Sequence, residues 1–111
     1  MNEALCRLEE LADPGSASFT VEQDGTRLSI MVVRQDDEVF GYVNSCPHVG
    51  VMLDFEPGRF LDSERRFILC SSHGALFRIR DGFCVSGPCA GKSLTPYPLS
   101  LKDGFVLPGR G

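Results

Sequence analysis

No run of apolar residues in these 111 approaches the roughly eighteen that a membrane-crossing helix needs. The opening "MNEALCRLEE" has neither a basic n-region nor an apolar h-region. The expectation is a soluble, unexported chain, cytoplasmic and without a membrane partner. Basic residues are scarce too: eleven Lys and Arg against fifteen Asp and Glu leave a formal charge of −4. Neutralising phosphates takes a clustered excess of Lys and Arg, so nucleic acid is excluded as a main partner. There are only two histidines. There is no G-x-G-x-x-G after a strand and no P-loop, so the chain has no visible means of taking hydride from a nicotinamide. Internal repeats, low-complexity runs and linkers are absent as well.

What is present fits one domain, residues 1–111. With 42% hydrophobic and 23% charged residues the chain can bury a modest core. Five cysteines without a secretion signal read poorly as a disulfide framework, because the number is odd and a reducing compartment opens most bridges. Metal or redox chemistry is the better reading. Leu5, Leu8, Leu11 and Ala12 recur at helical spacing and "DPGS" at 13–16 ends the pattern, predicting a short N-terminal helix in an extension over residues 1–16, with Cys6 as a half-buried thiol on it. Short apolar strands then follow, among them "SFTVE", "TRLSIMVVR", "VFGYVN", "RFLD", "RRFILC", "ALFRIR" and "FVL", punctuated by Asp-Gly pairs at 24–25, 81–82 and 103–104. This is the texture of an all-β, antiparallel domain. Glycine and proline gather at 47–58 and 87–98, as in loops shaped around something.

Both histidines fall in one constellation. Cys46-x-His48 is followed, after 21 residues, by Cys70-x-x-His73, each pair in a Gly/Pro-shaped loop after a strand. A structural Cys2His2 zinc module would use all four side chains in a tetrahedron. The usual zinc pattern, however, pairs cysteines on one loop and histidines on the other, whereas here each loop carries one of each. A two-iron cluster accommodates that mixture, with one cysteine and one histidine reaching in from each side.

The loops "NSCPHVGVMLD" and "LCSSHGALFRIRDGFCVSGPC", with "RFLD" and the closing "LTPYPLSLKDGFVL", resemble the Rieske [2Fe-2S] family, and in particular its small stand-alone bacterial ferredoxins, from about residue 19 onward. The resemblance implies a fold of three antiparallel sheets, with a cluster-binding subdomain at about 45–91 inserted in a base domain. It also implies one [2Fe-2S] cluster per chain, with Cys46 and Cys70 on the inner iron and His48 and His73 on the outer, surface-near iron. Pro47 fixes the backbone at the start of the first loop. Gly50 and Gly74 let backbone N–H groups approach the sulfides. Gly87 and Pro88 match the third loop, which shields the cluster in this family.

The departures from the respiratory members of the family are informative. Their extra loop cysteines, which form a disulfide, are Val51 and Ser72 here, so that bridge cannot form. Their serine and tyrosine donors to cluster sulfur are Ala75 and Phe77 here, which predicts a potential in the lower Rieske range, about −150 to 0 mV. The potential is also expected to fall as pH rises through the pKa values of the ligating histidines. Cys84 and Cys89 are read as buried thiols beside the cluster, then as a local disulfide, and last as ligands.

A catalytic iron would need two further histidines and a carboxylate, and the cluster takes both histidines present. The chain therefore reads as an electron carrier and not an enzyme. It would take one electron from a reductase, such as a flavoprotein, and pass it to an acceptor such as a terminal oxygenase. Val49, Leu76 and Pro88 would form an apolar docking rim, and Asp54 and Glu56 could steer a basic partner. A redox-sensing or accessory subunit with the same cluster is the other use of such a centre.

Overall fold

The computed structural model describes residues 4–45, 60–70, 74–87 and 91–109. Among the described residues, nine strands make three three-stranded antiparallel sheets. The central sheet is β2 (Gly15–Gln23), β3 (Thr26–Gln35) and β4 (Glu38–Val43), in that order. The second has the order β1-β9-β8, from Cys6–Arg7, Phe105–Pro108 and Leu99–Lys102. The third, the small sheet, comprises β5 (Phe67–Cys70), β6 (Ala75–Arg78) and β7 (Cys84–Ser86). It lies in the chain between β4 and β8, and the strands on either side belong to the other two sheets. This is the expected insertion of one β unit into another.

The central sheet is covered on both faces. Residues 30–33, "IMVV", are wholly buried, which an alternating half-exposed strand could not be. Met31 and Val33 join Tyr42, Phe60, Ile68, Cys70, Ala75, Phe77, Ile79, Cys84 and Leu94 in one core toward the small sheet. Ile30 and Val32 point the other way, packing with Leu11 and Val106 and the flanking Phe19, Tyr97 and Leu99. The period-2 pleat divides one apolar run between two cores.

Turn chemistry sets the registers. Asp24 and Gly25 have φ of +54° and +77°, and Asp103 and Gly104 +54° and +79°, the pair of left-handed residues that a tight two-residue hairpin requires. Before β5, the Asp62 carboxylate accepts N–H bonds from Arg66 (2.9 Å) and Phe67 (3.2 Å), while Leu61 bridges to Ile68.

The N-terminal helix expected from the leucine spacing is not formed. Leu5 N–H donates to the Val106 carbonyl (2.8 Å) and Leu8 N–H to the Gly104 carbonyl (2.9 Å), so the segment adds to β9 as an edge strand and then makes one 3-10 turn over Leu8–Glu10. A helix this short is marginal in water, whereas pairing satisfies the backbone and lets Leu5, Cys6 and Leu11 reach the second core. Cys6 is thus half-buried as expected, but on a strand. Its thiol pKa is raised, first by burial and then by nearby Glu10.

Residues 91–97 connect two sheets. Toward the small sheet, Cys84 N–H donates to Lys92 O (2.8 Å), Leu94 N–H to Gly82 O (2.9 Å), and Phe83 bridges to Ser93. Toward β4, Val43 N–H donates to Thr95 O (2.8 Å), Tyr97 N–H to Gly41 O (2.8 Å), and Tyr42 bridges to Pro96. A Cβ on Gly41 would collide with the Tyr97 carbonyl, so only glycine admits this approach.

Candidate metal centre

Strand β5 ends on Cys70, which is 0% exposed, and β6 begins on Ala75, also 0% exposed. The two are paired across the ladder, and Gly74 N–H donates to Cys70 O (2.8 Å). Gly74 has φ of +71°, a backbone state costly for other residues. Cys70 and Gly74, the first and last residues of "CSSHG", therefore sit at one end of the small sheet. Cys70 and Gly74 frame the connection, and His73 falls within the undescribed part of it, along with Ser72.

The third segment singled out in the sequence returns to the same end. Strand β7 pairs Cys84 with Phe77 and Ser86 with Leu76, so Val85 is an extra residue in a bulge. The Cys84 thiol donates to Ser86 O (3.2 Å). Gly87 follows with φ of +102°, and a Cβ built on it would lie 2.7 Å from the Cα of Ala75 and 3.2 Å from its N. Gly91 N–H donates to Cys84 O (3.3 Å), drawing the other end of the segment back to the same strand. The segment that begins at Gly87 thus starts against the backbone of the residue following Gly74.

Cys46, Pro47, His48, Gly50, Val51, His73, Pro88 and Cys89 lie outside the described residues, as do Val49, Asp54 and Glu56. Among the described residues no group of three or more His, Cys, Asp or Glu could hold a metal. What is described fits an iron–sulfur cluster in its donor chemistry. The Cys70 sulfur is withdrawn from water among Phe60, Ile68, Phe77 and Ala75, and such an apolar shell controls solvent access and redox potential. Ala75 and Phe77 carry no hydroxyl, and both side chains are fully buried.

Two features escaped the reading of motifs. Tyr42, 3% exposed, donates its hydroxyl to Ile79 O at 2.6 Å, and burial, with a smaller contribution from Asp81, pushes its pKa up to about 12. Gly82 lies against the same ring, with its ideal Cβ 2.8 Å from the ring Cε1. At the end of β6, Arg78 makes a two-pronged pair with Asp81 of the following turn (3.0 and 2.6 Å) and lies over the Phe83 ring, 4.9 Å from its centroid.

Comparison with known proteins now bears on this geometry. The model of the Rieske [2Fe-2S] domain matches residues 2–99, and the chain belongs to that family, whose domain binds a [2Fe-2S] cluster. Among solved structures, the ferredoxin of carbazole 1,9a-dioxygenase from Nocardioides aromaticivorans IC177 is 23% identical, with a TM-score of 0.73 over 100% of this chain and 99% of that one. A Sphingomonas yanoikuyae B1 ferredoxin is 27% identical, with a TM-score of 0.70 over 100% of both chains. A chain from the complex of reduced oxygenase and oxidised ferredoxin of carbazole 1,9a-dioxygenase is 21% identical, with a TM-score of 0.70 over 94% of this chain and 97% of that one. A search of curated protein sequences finds no match. The family match favours a two-iron centre over a structural zinc module.

Proposed function

We propose that this chain is a Rieske ferredoxin that carries one electron on a [2Fe-2S] cluster between a reductase, such as a flavoprotein, and a terminal oxygenase. The observation that carries the reading is coextension: the three-sheet fold matches stand-alone ferredoxins from end to end. A ferredoxin of the same fold is found in complex with its oxygenase, which supports an oxygenase as the acceptor here.

The residues we assign to the cluster are Cys46, His48, Cys70 and His73, within a cluster-binding part of about residues 45–91. Bound there, the cluster supplies reversible one-electron chemistry. The chain's own residues position and insulate it. Cys70 offers its sulfur from the buried end of β5, Gly74 turns the backbone at the second loop, and Pro47, Gly50, Gly87 and Pro88 shape the surroundings. Two histidines serve the cluster and none remain for a catalytic iron, so these residues carry electrons and do not transform substrate. Among the described residues no helix is long and apolar enough to cross a membrane. A cytoplasmic location agrees with cluster loops that carry Val51 and Ser72 in place of the disulfide-forming cysteines.

The test is a visible spectrum and EPR of the dithionite-reduced protein, with iron, sulfide and zinc assayed in the same sample. About two irons and two sulfides per chain and a rhombic signal of low average g, altered in His48→Cys and in His73→Cys, are expected. A colourless, EPR-silent protein with one zinc would overturn the proposal.

A further inference from the structure

Three observations meet at one point of the small sheet. The bulge at Val85 ends β7 one residue out of register, the Cys84 thiol holds the Ser86 carbonyl at 3.2 Å, and Gly87 is set down on the backbone of Ala75. The last contact tolerates no side chain: the nearest atoms are the Cα, Cβ and N of Ala75 at 2.7, 3.1 and 3.2 Å, atoms of a buried strand none of which can rotate away. Ala75 follows Gly74 directly and pairs with Cys70. A displacement of Gly87 is therefore transmitted to both ends of the connection that bears His73, through contacts without a flexible side chain.

The geometry points to Gly87 as a positioning residue that fixes the backbone of Ala75, the residue after Gly74 and the ladder partner of Cys70, and thereby sets the redox properties of the cluster. This rests on the assignment of Cys70 and His73 to the cluster. Gly87 touches no reacting atom; it acts through Ala75. Its size matters at this one place. Gly91, at the other end of the same segment, has a comparable φ of +91°, yet a Cβ there would meet nothing within 4 Å. The two glycines share the backbone requirement and differ in the contact. Gly91→Ala is thus a control for left-handed strain.

The experiment measures the reduction potential and the EPR g-values of the cluster-loaded full chain for wild type, Gly87→Ala and Gly91→Ala, with iron and sulfide content and thermal unfolding on the same samples. The expected result is a shifted potential and altered g-values in Gly87→Ala, with Gly91→Ala matching wild type although both variants lose stability. A merely structural role would lower the melting temperature of both and leave the potential unmoved; that outcome overturns the proposal. If Gly87→Ala does not load cluster, Ala75→Gly decides, since it loosens the same contact from the other side without straining the backbone of residue 87. A shifted potential supports the proposal and an unchanged one overturns it. A wild-type protein without the rhombic signal would overturn the cluster assignment and this inference together, whereas an intact wild-type signal that neither variant shifts sinks this inference alone.

Discussion

The phenol of Tyr42 donates a 2.6 Å hydrogen bond to the carbonyl of Ile79, tying β4 of the central sheet to the turn after β6. Donor and acceptor are 37 residues apart in sequence, and both side chains are buried. Tyr42→Phe leaves that carbonyl without its partner in an apolar core, which should cost about 1–3 kcal/mol in denaturant unfolding.

The same tyrosine gives a pH dependence. Its folded-state pKa is raised to about 12, from an ordinary value of 10.0. The native state therefore holds the phenolic proton after the unfolded chain has released it. The stabilisation is complete below pH 10 and is lost as pH rises from 10 toward 12, amounting to about 2–3 kcal/mol over that window. Unfolding curves recorded across it should show the decline in wild type and a smaller one in Tyr42→Phe.

At the acid end the sign reverses. Asp81 is held below the usual carboxylate range, first by the Arg78 hydrogen bonds and then by the Phe83 N–H. Its contribution is present above pH 3.8, the ordinary value, and disappears as pH falls further. Both groups are exposed, so Asp81→Asn should shift the acid midpoint only slightly and leave stability at neutral pH nearly unchanged.

Cys70 and Cys84 are both fully buried in the same core, yet their assigned roles differ. Cys70→Ala should abolish iron and sulfide incorporation. Cys84→Ala should retain about two irons per chain while losing about 1 kcal/mol of stability for the missing thiol and its bond to Ser86. Metal analysis of the two purified variants separates ligand from packing residue.

Ala75 and Phe77, both buried, are the positions that the resemblance matches to hydroxyl donors to cluster sulfur in the respiratory members of the family. In Ala75→Ser, a new donor that favours the reduced, more negative cluster by about 1.4 kcal/mol would raise the one-electron potential by about 59 mV. Voltammetry of wild type and Ala75→Ser at one pH checks the direction. A lower potential in the variant would mean that the hydroxyl does not face the cluster.

The parts of the fold readable from the chain were those with local causes. The Asp-Gly pairs at 24–25 and 103–104 mark hairpins because the turn itself demands left-handed residues, and the buried run at 30–33 is apolar at every position because both its faces are covered. The N-terminal leucines misled because their segment's partner is β9, about a hundred residues away, and three spaced leucines can flank an edge strand as well as line a helix. Distance also hid Tyr42 and the fit of Gly87 to Ala75, since neither side of such a contact says anything about the other in the sequence. The Cys/His motif stood out in the sequence for the opposite reason, since spacing on a loop is a local property. Of its four residues the structure describes Cys70, which is buried at the end of β5.

Residues 91–97 hydrogen-bond to the small sheet and then to β4 within a few residues, leaving no slack between the two. An exit built this way cannot act as a swivel. Where an electron must visit two partners in turn, a carrier joined this way has to release one, tumble in solution and present itself to the other. Turnover in a reconstituted chain of reductase, carrier and acceptor is then governed by encounter frequency, slowing with added viscogen and rising with carrier concentration.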